Sequence, residues 1–160
     1  MKTPSDLPVL LKRSLQAQVI GPIHAEMVEA LGKEKADAIL DSAIRKAAIA
    51  EGKSFAGKAP GGETSMAEFI KLYDLWTADS ALEIEVLEAT EDTFNFDVVR
   101  CRYAETYREM GLGHIGHLMS CNRDGNFCTG YDPNIQLERT QTIMAGAPRC
   151  TFRYTYEKAK

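Results

Sequence analysis

No apolar run in this sequence approaches the ~18 residues that a membrane span needs. The N-terminal stretch MKTPSDLPVLLKRSL lacks the uninterrupted apolar core and small-residue cleavage site of a secretory leader. The cytoplasm is therefore the expected compartment, with no membrane partner. Positive charge is also scarce: 19 Lys+Arg stand against 23 Asp+Glu, a net charge of −4. Such a chain has no basic stripe to meet nucleic-acid phosphates or anionic lipid, so neither is expected as a partner. There is no CxxC pair, which removes the usual structural zinc spacing. No GxSxG, P-loop, HExxH or GxGxxG is found either, nor an internal repeat. What remains is 160 residues of ordinary globular composition, enough for one core without staples. One domain, 1–160, is expected, helical over 1–78 and mixed strand and helix over 79–160.

Hydrophobic spacing supplies the elements. Leu10, Leu11, Leu15 and Val19 suggest a helix over 8–20 with Lys12, Arg13 and Gln16 on its polar side. Gly21-Pro22 should break or kink it before Met27, Val28 and Leu31 resume, with Gly32 as a C-terminal cap. Ala36, Ile39, Leu40, Ala43, Ile44 and Ala47 form the stripe of a second helix over 34–50. The glycine-rich EGKSFAGKAPGGETS, 51–65, reads as a loop. Ser65 and Glu68 then open a third helix, with Met66, Phe69, Ile70, Tyr73 and Trp76 on its apolar face. Alternation predicts strands over 82–88 and 94–101, then 136–144 and 149–156 after a helical stretch over 103–120, interrupted at Gly111-Leu112-Gly113, and the turn-rich SCNRDGNFCTGYDPN. Helices first and two hairpins later indicate an α+β fold, with the N-terminal helices packed on one antiparallel sheet.

Four cysteines, Cys101, Cys121, Cys128 and Cys150, fall in the last sixty or so residues. In a cytoplasmic chain they read as thiols, metal ligands or catalytic groups before disulfides, with burial as small apolar groups the plain alternative. Strand alternation puts Cys101 opposite Phe96, away from the main core. Cys121-Asn122-Arg123-Asp124 is the densest polar cluster: a thiol at a helix end beside a cation and a carboxylate can be a tuned nucleophile. An Asx turn through Asp124 explains the same tetrapeptide without chemistry. His114 and His117, with Cys121, have the i, i+3, i+7 spacing that would hold a metal on a continuous helix; otherwise no cofactor is expected. Arg139, on a strand face with Leu137 and Ile143, needs a carboxylate, either Asp124 or one carried by a ligand. His24 has no assigned role.

Several of these features recur together from Phe96 onward. They are Cys101 with Tyr103-Ala104-Glu105, the turn Ser120 to Asp124, Gly130 with Pro133, the run Arg139 to Met144, Gly146, and Cys150 with Phe152-Arg153-Tyr154. In that order they resemble the L-2-amino-thiazoline-4-carboxylic acid hydrolase family. The resemblance implies hydrolytic opening of a small cyclic isothiourea that bears a carboxylate, giving N-carbamoyl-L-cysteine. The chemistry of that reaction, rather than the resemblance itself, assigns Cys121 as nucleophile with Asp124 as its proton partner, Cys101 as the rival catalytic thiol, and Arg139, Thr140, Thr142 and Cys150 around the substrate, with self-association left open. A second reading is a domain resembling the 4-vinyl reductase domain, which binds a small molecule or metal and catalyses nothing.

Overall fold

A computed structural model describes residues 3–158. Met1, Lys2, Ala159 and Lys160, part of the expected domain, lie outside the described residues. Helices α1 (Val9–Leu31), α2 (Lys33–Ala56) and α3 (Met66–Thr77) come first. The hairpin β1 (Leu82–Ala89) and β2 (Thr93–Cys101) follows, then α4 (Arg102–Glu109), α5 (Arg123–Tyr131), β3 (Ile135–Glu138) and β4 (Cys150–Tyr156). The strands form one antiparallel sheet in the order β1-β2-β4-β3. This is the α+β arrangement that the pattern of elements predicts.

Alternation sets the two faces of the sheet. Phe94, Phe96 and Val98 of β2 and Cys150, Phe152 and Tyr154 of β4 are buried on one face, where Phe69 and Tyr73 of α3 and Phe127 of α5 complete the core. Phe96 and Phe152, paired across the strands, stack at 4.8 Å between ring centroids. The opposite face is polar: Asp97 meets Arg149 at 2.8 Å and Arg153 at 3.0 Å. Ser65 caps α3 by accepting from the Glu68 amide at 3.1 Å, as its sequence suggests.

Tertiary contacts override several local expectations. Helix α1 runs unbroken through Gly21 and Pro22. Its buried row is Val9, Arg13, Ala17, Gly21 and His24, while Leu11, Leu15 and Val19 are exposed. The expected apolar face was thus out of phase. Small residues let α1 lie close to its neighbours, to within 2.9 Å of Leu112 for a Cβ built on Gly21, and the two buried polar groups find carboxylates. His24 meets Asp37 at 2.7 Å, a role its sequence did not suggest.

Helix α2 extends through 51–56, so the loop is confined to 57–65. The cause is a close crossing with α5. A Cβ on Gly52 would sit 2.2 Å from the Phe127 carbonyl oxygen, and one on Gly130 would sit 2.0 Å from that of Ile49. Glycine is needed here for backbone approach rather than for a turn. The turn-rich segment after Cys121 is likewise mostly helix α5. The expected strand over 136–144 ends at Glu138, and 143–145 form a single 3₁₀ turn. The hairpin survives through the pairing of β3 with β4.

Candidate functional site

A cavity lies between the buried sheet face and the helices. Cys101, Cys121, Cys150, Asp124 and Arg139 all line it. An adjoining pocket adds Glu51, and the two share Arg13, Arg123, Asp124, Tyr73 and Trp76. The three cysteines singled out by the family pattern therefore converge on one space, and Cys128 is buried elsewhere in the core.

Each side chain arrives by a specific local device. Cys101 reaches the cavity because β2 carries an extra residue near Val99: Ile84 pairs with Val98 and Leu82 with Cys101. This bulge returns Cys101 to the Val98 face, correcting the plain alternation that placed it on the other side. Its sulfur accepts from the Ala104 amide at 3.4 Å and so caps α4. Cys121 ends a π-helical turn, His117–Cys121, immediately before α5. Cys150 accepts from the Ile143 amide at 3.2 Å.

Asp124 lies in the first turn of α5 rather than in an Asx turn, and its Oδ2 accepts from Arg139 Nη1 at 2.7 Å. Arg139 also donates through Nη2 to the Cys121 carbonyl at 3.0 Å and lies 4.8 Å over the Phe152 ring. The carboxylate that Arg139 was expected to need is thus Asp124. Thr140 and Thr142, expected beside the substrate, do not line the cavity. Thr140 bonds to the Thr151 hydroxyl at 3.0 Å and Thr142 caps the turn at 143–145, so both hydroxyls serve the β3–β4 connection.

The metal arrangement predicted for His114 and His117 requires one continuous helix, and the chain instead breaks into a 3₁₀ turn and a π turn. Both histidines are exposed. His114 packs against His24, with ring centroids 6.2 Å apart, away from Cys121. Among the described residues no three His, Cys, Asp or Glu side chains are grouped to hold a metal.

A charged network that sequence reasoning missed forms the second wall. Glu51 Oε2 accepts from Arg123 Nη2 at 2.6 Å and from Arg13 Nη2 at 3.1 Å. Arg13 is 4% exposed and Arg123 9%. The partners lie 38 and 72 residues from Glu51, and nothing in a linear pattern joins them. The visible sign was the four-residue row Val9-Arg13-Ala17-Gly21 on α1.

Electrostatics follow from enclosure. Burial pushes the Cys101 thiol up to about 11 and, with the charge of Asp124 added, Cys121 up to about 12. Both are protonated thiols at neutral pH. Burial also raises Asp124 above the usual carboxylate range, although Arg139 works against it. Burial opposes the charge of Glu51 as well, yet Arg13 and Arg123 together hold it below its ordinary value. Three arginines thus face two carboxylates, leaving one positive charge in excess.

Helices laid on an antiparallel sheet around a thiol- and arginine-lined cavity define an α+β domain. The sequence pattern of the L-2-amino-thiazoline-4-carboxylic acid hydrolases matches residues 12–154, and the chain belongs to that family. A solved structure of similar fold is the phenol-responsive sensory domain of the transcription activator PoxR with phenol. Its TM-score is 0.54 at 13% identity, over 86% of this chain and 73% of that one. No curated protein matches the sequence. Among the described residues no helix is long and apolar enough to cross a membrane.

Proposed function

We propose that this chain is a hydrolase that opens a small, carboxylate-bearing cyclic isothiourea or amidine in the cavity. The observation that carries this reading is the meeting of Cys121, Asp124 and an excess of arginine charge around one enclosed space. The family match supports the reaction class.

Cys121 serves as nucleophile and Asp124 as its proton partner. A thiol raised to about 12 is unreactive at rest, and its thiolate, once formed, is strongly nucleophilic. Asp124 is a suitable acceptor because burial raises its proton affinity and the bond to Arg139 occupies only Oδ2. As Cys121 Sγ attacks the carbon between sulfur and nitrogen, its proton passes to Asp124. The ring carbon–sulfur bond then breaks and the proton moves to the departing sulfur. Water adds to the enzyme-bound isothiourea, Asp124 takes a proton from it and returns that proton to the Cys121 sulfur as it is expelled, and a urea is left. For the 2-amino-thiazoline-4-carboxylate the product is N-carbamoylcysteine, with one water added and no change of oxidation state. Arg139 acts as a positioning residue that holds Asp124, and Cys101 and Cys150 complete the wall.

Mass spectrometry of quenched turnover tests this route: a substrate-sized adduct on Cys121 is expected. Cys121→Ala and Cys121→Ser should fold by circular dichroism and lose turnover. Full activity in folded Cys121→Ala would take this residue out of the mechanism and leave Asp124 activating water directly.

A second reading, a sensor that binds without turnover, is favoured by the resting protonation of the cavity thiols and by the aromatic walls Tyr73, Trp76 and Phe152. Binding of the thiazoline without hydrolysis would support it.

A further inference from the structure

We propose that the substrate's carboxylate is held by Arg123, flanked by Arg13, and not by Arg139. The proposal rests on the reading that the cavity takes a small molecule. The donors of the three guanidinium groups are used unequally. Arg139 spends Nη1 on Asp124, Nη2 on the Cys121 carbonyl and its face on Phe152. Its charge is matched by a carboxylate of its own. Arg13 and Arg123 share the single carboxylate of Glu51, so this pair carries the excess positive charge. Burial and the neighbouring charge of Arg123 both weaken Arg13's hold on its proton, which an added anion would reverse.

Arg123 also has donors to spare. Among the described residues its side chain makes one hydrogen bond, from Nη2 to Glu51, and Nε is buried without a partner. A guanidinium offers five N–H donors in a planar fork suited to a carboxylate. Arg123 lies in the wall shared by both cavities, one residue from Asp124. A carboxylate seated there neutralises the pair, satisfies the idle donors and places the rest of a small ring toward Asp124 and Cys121. The site is thus specific for small molecules with one carboxylate near the reacting ring.

The test compares 2-aminothiazole-4-carboxylate with 2-aminothiazole, aromatic probes that resist hydrolysis and differ only in the carboxylate, by isothermal titration of the full chain. The wild type should bind the carboxylate form at least tenfold more tightly. Arg123→Gln should reduce that preference to within about twofold while keeping its affinity for 2-aminothiazole, which also reports an intact cavity. Arg123→Lys, which keeps the charge beside Glu51, should retain part of the preference, and it carries the test if the Gln variant does not fold. Arg139→Lys should leave the preference in place. A preference that survives both Arg123 variants, or vanishes in Arg139→Lys alone, overturns the assignment. Equal wild-type binding of the two probes overturns it while leaving the small-molecule reading standing. Binding of neither brings down both.

Discussion

Replacing Gly52 by alanine should destabilise the protein although it puts a better helix former into a helix. The new Cβ would sit 2.2 Å from the Phe127 carbonyl oxygen and 2.7 Å from the Tyr131 amide nitrogen. Ordinary C···O contacts begin near ~3.3 Å, and both obstacles are backbone, so α5 must retreat from α2 by about 1 Å. Overpacking of this kind costs about 1–3 kcal/mol, towards the upper end where no side chain can give way. Alanine's helix propensity returns roughly 1 kcal/mol. The net loss is about 2 kcal/mol, or a fall in Tm of about 4–8 °C for a chain of this size. Gly125, in α5, has nothing within 4 Å of its would-be Cβ. Gly125→Ala should therefore gain about 0.4–1 kcal/mol. Thermal melts followed by circular dichroism compare the pair. Helix α5 also carries Arg123 and Asp124, and misplacing a catalytic group by about 1 Å can cost a hundredfold in rate. Folded Gly52→Ala should thus lose activity beyond its loss of stability. A Gly52→Ala protein melting at or above the wild type would refute the close-crossing argument.

Three further outcomes follow from the same geometry. Arg139→Lys keeps the charge but loses the second bond, to the Cys121 carbonyl, and should lower kcat far more than it changes KM; an altered KM with unchanged kcat would make Arg139 a substrate anchor. Glu51 and Asp97 are held below their ordinary values, Glu51 by Arg13 and Arg123 against burial and Asp97 first by Arg149 and then by Arg153. Their stabilisation is present above the unfolded-state values and is lost as pH falls through the folded ones, so Tm should be level near neutrality and fall below about pH 5. Glu51→Gln should shrink that acid-side fall, and an unchanged profile would count against the network. With thiols raised to about 11 and about 12, Cys101 and Cys121 should alkylate much more slowly than a free thiol at pH 7.5, as read by peptide mass spectrometry; fast neutral-pH labelling of Cys121 would mean a resting thiolate.

Patterns confined to one element were legible from sequence. Met66, Phe69 and Tyr73 occupy the inner face of α3, and Phe94, Phe96 and Val98 the inner face of β2, because a single period decides both. What escaped depends on partners distant in the chain. Arg13 reads as a solvent-facing residue until Glu51 comes to lie beside it, and Leu11 and Leu15 read as core until the small face of α1 proves to be the one that packs. Gly52 reads as a loop residue until a second backbone crosses it. Cys101 changed face through one bulge residue, which alternation alone cannot reveal. At the site, the family pattern marked Cys101, Cys121, Cys150, Asp124 and Arg139, and all five line the cavity. It also marked Thr140 and Thr142, whose hydroxyls hold a connection instead; Arg123, read as the cation beside the Cys121 thiol, pairs with Glu51, and Arg13 had no role.

Turnover itself is the most direct test of the account. Purified full-length chain is incubated with L-2-amino-thiazoline-4-carboxylate, and the small-molecule fraction is followed by mass spectrometry and thiol titration. Conversion to N-carbamoylcysteine, one water heavier and carrying a new thiol, is the expected result, lost in Cys121→Ala and in Asp124→Asn. A folded wild-type protein that binds the thiazoline and returns it unchanged would contradict the hydrolase reading and leave a binding domain in its place.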